Sequence, residues 1–206
     1  MSPHSSSHWE ILSSIIRSRR TKKPVFFKDA PDSEEIRNLI EIARNAPNHH
    51  RTEPARFYLL DPLRIQAVGK QFGEITRGDG TDPQLIKKGE RKEKEWSQTP
   101  GLLIVTCYSD PSSTLASKYP ESTQEDYATV SCICQNLLLL MEAKGISAKW
   151  STGPVWKHKN FHKTIGIQYP NFEKVVALLF YGYSTTNVEN RTLSPLDDHL
   201  VDCCRS

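Results

Sequence analysis

Three polar segments of this chain carry the side chains from which a site for an anionic, planar ligand could be built. Arg19-Arg20-Thr21 offers two guanidinium forks and a hydroxyl, donors that suit a phosphate dianion. Ala46-Pro47-Asn48-His49-His50-Arg51-Thr52-Glu53-Pro54 adds an amide, imidazoles, a hydroxyl and a carboxylate, on a loop fixed by proline at both sides. Trp150-Ser151-Thr152-Gly153-Pro154 joins a ring and two hydroxyls to a glycine, which lets a planar group approach the backbone closely. Each has an ordinary alternative: arginines answering a helix dipole, a plain polar loop, and a strand-to-helix turn with a core tryptophan. As a set they match what flavin mononucleotide (FMN) requires. Cations and hydroxyls serve its phosphate, and polar side chains serve its ribityl chain. Amides serve the N5 and O4 edge, where negative charge develops on reduction.

The elements around these segments are legible from periodicity and punctuation. Trp9, Leu12, Ile15 and Ile16 recur at helical spacing over residues 9–17 and end at Arg19-Arg20. Asp32 followed by Glu35 is a capping-box pattern opening a helix whose apolar face is Ile36, Leu39, Ile40 and Ala43, and Pro47 ends it. Residues 56–60 read as a strand, and Asp61-Pro62 starts the next helix. A charged helix is expected over 83–96, a buried strand over 102–108, and a Ser- and Pro-rich loop over 110–122. A long helix over 125–144 is apolar nearly all round and stops at Gly145. Then come a short strand (146–150), a short helix (155–165), a buried strand (175–183) and a C-terminal arm from Ser184 to Ser206. The first eight residues read as a flexible lead. The pattern is one domain, a sheet sandwiched by helices.

Composition narrows the function. The 206 residues carry a formal net charge of only +3, with acids interspersed among the bases. The alternating run from Lys87 to Glu95 reads as a solvated helical face. No basic patch interleaves with aromatics, so nucleic-acid binding is not expected. The apolar run in 128–141 is too short to span a bilayer, and the polar N-terminus lacks an apolar signal core, which leads to the expectation of a cytoplasmic location. The five cysteines have no zinc spacing and read as incidental thiols. His158 and His162 are four apart but lack a third ligand, while His49 and His50, as neighbours, should point different ways. No metal site is expected. There is no Rossmann glycine fingerprint, phosphate-binding Gly-rich loop or nucleophile elbow, so a redox enzyme on this chain needs a cofactor held by another fold.

The order of motifs resembles the FMN-dependent nitroreductase family. Its members open with a helix ending in Arg-Arg-Ser, then a helix ending in Ala-Pro, then Gln-Pro-Trp and a strand. Here these are Arg19-Arg20-Thr21, Ala46-Pro47 and Glu53-Pro54-Ala55. The family's long helix with Gln-Asn-Leu-Leu-Leu, its Trp-x-x-Gly and its closing Gly-Tyr strand correspond to Gln135–Leu139, Trp150–Gly153 and Gly182-Tyr183. The resemblance runs from about residue 9 to residue 196 and is closest to compact bacterial members. It implies an α+β sandwich with a central, mainly antiparallel sheet flanked by helices, forming an intertwined homodimer with FMN at the interface.

By that resemblance Arg19, Arg20 and Thr21 bind the phosphate or ribityl end of FMN, and Arg191 is a second phosphate candidate. His49 and Glu53 approach the flavin from the second loop. Trp150, Ser151 and Thr152 line it, with the Gly153 amide at the N5 and O4 edge. The implied activity is ping-pong hydride transfer from NAD(P)H to a nitroaromatic, a quinone or a related small-molecule acceptor, with no side-chain acid or base. Reductive dehalogenation, flavin breakdown or a non-catalytic flavin sensor or reservoir are the alternatives, with 83–96 as a candidate lid. Glu53 and Ala55 stand where the family has Gln and Trp, which bears on ring electronics and substrate preference.

Overall fold

The computed structural model describes residues 3–189 and 191–204. Four strands form one sheet: β1 (Ala55–Leu59), β2 (Gly101–Tyr108), β3 (Ser147–Ser151) and β4 (Glu173–Gly182). Their order is β1-β2-β4-β3, and every neighbouring pair is antiparallel. The expected α+β sandwich around an antiparallel sheet is what the chain forms. Strands β2 and β4 lie in the middle and are covered on both faces, which is why they are almost continuously apolar.

Alternation along these strands sorts the core into two layers. Leu103, Val105, Ala177 and Leu179 pack with Ile36 and Leu39 of α2 (Ser33–Ala43) and with Val130, Leu137 and Met141 of α6 (Ser122–Ala143). Leu102, Ile104, Leu178 and Phe180 face the other way. They pack with Ile65 and Val68 of α3 (Pro62–Arg77), Trp96 of α4 (Pro83–Ser97) and Phe161 of α7 (Phe161–Ile165).

Local chemistry starts the helices. Asp32 accepts from the Glu35 N–H at 2.8 Å, and Asp61 accepts from the Arg64 N–H at 2.8 Å. Helices α3 and α4 form a hairpin whose backbones nearly touch. A Cβ on Gly89 would sit 2.8 Å from the Gly73 carbonyl oxygen, and one on Gly69 would sit 2.5 Å from the Ser97 nitrogen. This close contact holds α4 beside the β3 edge of the sheet.

Three expectations need correction. Helix α1 runs over Pro3–Ser18, so most of the supposed flexible lead is helical, because nothing between it and Trp9 breaks the helix; residues 1–2 lie outside the described residues. The expected loop at 110–122 contains a short helix, α5 (Thr114–Lys118), capped by the Ser113 hydroxyl, which accepts from the Ala116 N–H at 3.1 Å. The helix expected over 155–165 is two pieces, a 3-10 turn at Pro154–Lys157 and α7. They part at His158, whose backbone is extended and whose ring is held 2.9 Å from Glu74 of α3. His158 and His162 therefore do not share a helix face.

Candidate functional site

The first and third polar segments come together along β3. Thr21 pairs with Ala148 in a parallel bridge, and the Lys22 N–H donates to the Ala148 carbonyl at 3.2 Å. Arg19 and Arg20, at the end of α1, are half-buried, and Arg20 Nη1 donates to the Arg19 carbonyl at 2.8 Å. Along β3, Ala148 and Trp150 turn towards the α6 layer, and Lys149 turns towards α4. The Trp150 indole N–H is used by the Val176 carbonyl at 3.2 Å, so this ring braces the strand from the core. Ser151 Oγ accepts from the Gly153 N–H at 3.4 Å, while Thr152 is exposed.

On the α4 side of β3 lies a cleft of about 650 Å³. Five basic side chains (Lys23, Arg91, Lys92, Lys94 and Lys149) line it together with Glu95, Gln98 and the apolar Pro24, Val25 and Phe27. That is the size of a cofactor pocket. Glu95 accepts from Lys92 Nζ at 2.8 Å and lies 4.0 Å from Lys149 Nζ. Partial burial holds Lys149 below the ordinary lysine value, Glu95 opposes that, and Lys92 and Lys23 add to it. Such a surplus of cations suits an anionic ligand.

None of the site residues named from the sequence lines this cleft; they border it along β3 or lie elsewhere. Lys23 lies two residues past Thr21 and Lys149 directly before Trp150, so both were within reach of a sequence reading. The cations of α4 read as a solvated face, yet Arg91, Lys92 and Lys94 line the cleft. The correction arises because the helix hairpin folds α4 back over the sheet edge, a contact between residues more than 50 positions apart.

The second loop lies elsewhere. It precedes β1, whereas Arg19–Thr21 and Gly153 flank β3, and these are the two edge strands. Three strand spacings, about 14 Å, separate those edges, so one chain does not bring all three segments together. The Thr52 hydroxyl contacts the buried Asp126 carboxylate on α6, and Asn48 Oδ1 accepts from the Thr52 N–H at 3.2 Å. Glu53 is exposed and pairs with Arg44 at 3.2 Å. Arg191 is exposed on the arm, far along the chain from either group.

His49 and His50 depart from expectation: they point the same way. Their rings stack with centroids 4.0 Å apart and planes within 7°. The reason is backbone: His50 has φ 58° and ψ 5°, and the left-handed turn sets consecutive side chains side by side. His49 Nδ1 lies 3.0 Å from Glu125 Oε2 on α6.

Comparisons with known proteins bear on the family and the fold. The sequence profile of the Nitroreductase family matches residues 16–183. A Bacillus subtilis protein named "Putative NAD(P)H nitroreductase YfhC" is 29% identical over 197 residues, covering 93% of this chain and 94% of its own. The crystal structure of a nitroreductase-like family protein from Bacillus cereus superposes with a TM-score of 0.74 at 23% identity, over 93% of this chain and 95% of that one. Oxidised iodotyrosine deiodinase, solved with FMN and 3-iodo-L-tyrosine, shares the fold at a TM-score of 0.64 and 19% identity, over 93% and 98% of the two chains. With its family profile spanning most of the sequence and both core layers, the chain belongs to the nitroreductase family.

Proposed function

We propose that this chain is an FMN-dependent oxidoreductase that takes a hydride from NAD(P)H and passes it to a nitroaromatic, a quinone or a related small acceptor. The observation that carries the reading is the cationic cleft beside β3, lined by five basic side chains and one carboxylate next to Arg19-Arg20-Thr21. That donor set fits a flavin phosphate and a ring that becomes negative on reduction. When bound, FMN supplies the two-electron relay at N5 between donor and acceptor.

The chain's own residues do the rest. Arg19, Arg20 and Thr21 hold the phosphate and ribityl end. Lys23 and Lys149 give the cleft the positive charge that favours an anionic reduced ring. Ser151, Thr152 and the Gly153 amide offer polar contacts to the ring edge, while Trp150 positions them from the core. No side chain needs to act as acid or base, since an open cleft admits solvent protons.

The site is completed by a second copy of the chain. His49 and Glu53 sit on the opposite sheet edge, so they reach the flavin only from a partner subunit. Exposed apolar side chains support such a partner: Trp9, Leu12 and Ile16 on α1, and Leu193, Leu196, Leu200 and Val201 on the arm. Arg191 would travel with that arm. No described helix is long and apolar enough to cross a membrane.

The test is anaerobic reduction of the FMN-loaded protein. Added NADH or NADPH should bleach the visible flavin band, and a quinone or nitroaromatic should restore it. A bound flavin that stays oxidised in excess of both donors would make the protein a flavin carrier and refute hydride transfer.

A further inference from the structure

His49, His50 and Glu125 offer one ligand atom each, all within 4.8 Å of one another. We propose that these three residues form a site for a divalent transition-metal ion of the zinc, nickel or copper class. The inference does not need hydride transfer, but it shares His49 with the proposed flavin contact, so the metal is offered to flavin-free protein.

Adjacent residues rarely offer two imidazoles to one point, because in a strand they face opposite ways and in a helix they splay. Here the left-handed His50 overcomes that, and Arg51 (φ 51°) and Glu53 (φ 46°) continue the unusual backbone. Each such residue costs roughly 1–3 kcal/mol and persists only where its surroundings impose it. Those surroundings are visible. Tyr119 stacks on His50 at 4.8 Å, and the loop is tied to α6 through Thr52 and Asp126, the residue next to Glu125. Both elements that carry ligands are therefore fixed to each other before an ion arrives.

The distances suit a small ion. Bonds of about 2.0–2.2 Å in tetrahedral geometry set ligand atoms roughly 3.3–3.5 Å apart. His49 Nδ1 and Glu125 Oε2 stand at 3.0 Å already, and the other pairs lie within 4.8 Å. Two imidazoles and one carboxylate suit zinc, nickel or copper rather than calcium or magnesium, which prefer all-oxygen shells. Three protein ligands leave positions for water.

The test is a Zn²⁺ titration against a chromophoric zinc indicator, with the full chain carrying Cys203→Ser and Cys204→Ser so that tail thiols do not compete. Co²⁺ then serves as a spectroscopic probe of the ligand set. His49→Gln, His50→Gln and Glu125→Gln should each weaken Zn²⁺ binding by about tenfold or more. Zn²⁺ should also raise the midpoint of thermal unfolding in the parent and not in the variants. Circular dichroism confirms that each variant is folded. Binding no tighter than about 1 mM, or an affinity unchanged in all three variants, would overturn the proposal.

Discussion

Replacing Gly153 with alanine separates two physical effects of opposite sign. Gly153 has φ −60° and ψ 146°, a conformation open to any residue. On backbone grounds alone, alanine should stabilise the fold by about 0.4–1 kcal/mol, by reducing the freedom of the unfolded chain. Space argues the other way. A Cβ there would stand 3.1 Å from Trp96 Cη2 and 3.2 Å and 3.3 Å from two Phe72 ring carbons. Carbon atoms prefer about 3.5–4.0 Å. Trp96 has little room to retreat, because it is buried, stacked on Phe72 at 3.8 Å and edge-on against Phe180 at 4.6 Å. Overpacking of this kind costs about 1–3 kcal/mol. At mid-range values, about 2 against about 0.7, the clash wins by about 1.3 kcal/mol. For a chain of this size that lowers the unfolding midpoint by about 3–5 °C. The assay is a thermal melt of flavin-free protein at fixed concentration, repeated in a Phe72→Leu background, where the shorter side chain should remove the penalty. A midpoint that stays level or rises in Gly153→Ala would refute the claim that this glycine is required for clearance against the Phe72–Trp96 stack.

Other outcomes follow from the same structure. Burial pushes the Cys107 and Cys134 thiols up to about 12, whereas Cys132, Cys203 and Cys204 are exposed. A thiol reagent at pH 8 should therefore label three cysteines rapidly in the native protein and the other two only on unfolding; rapid labelling of all five would contradict the packing. The two raised pKa values carry a sign for stability as well. They favour the folded state below the unfolded thiol value of 9.0, and that contribution falls away as pH rises from 9 towards 12, which alkaline denaturation should register. Asp32→Ala removes the cap of α2 and should cost about 1 kcal/mol in urea unfolding, with no change in flavin affinity. Lys149→Met should weaken FMN binding about tenfold, the value of one charge-assisted contact, and flatten its dependence on salt; unchanged affinity would remove Lys149 from the site.

How much was legible depended on how local the cause is. The Asp32 and Asp61-Pro62 helix starts could be read because capping residue and capped amide lie three positions apart. The buried strands β2 and β4 could be read because apolar runs need cover on both faces. The break at His158 could not, since it depends on Glu74, 84 residues away in sequence. Nor could the parallel stack of His49 and His50, because the left-handed His50 is imposed by contacts with α6 and Tyr119 rather than by residue type. The polar segments at residues 19–21 and 150–153, proposed to hold the flavin, were visible as composition. The Lys149–Glu95 wall joining them to α4 needed the folded hairpin.

The claim that matters most is that the cationic cleft beside β3 holds FMN, and the most direct measurement is the absorbance spectrum of the purified protein and of the supernatant after heat release. Bands near about 370 and 450 nm, with FMN recovered in the supernatant, are the predicted result. A colourless protein that also fails to take up added FMN would contradict it.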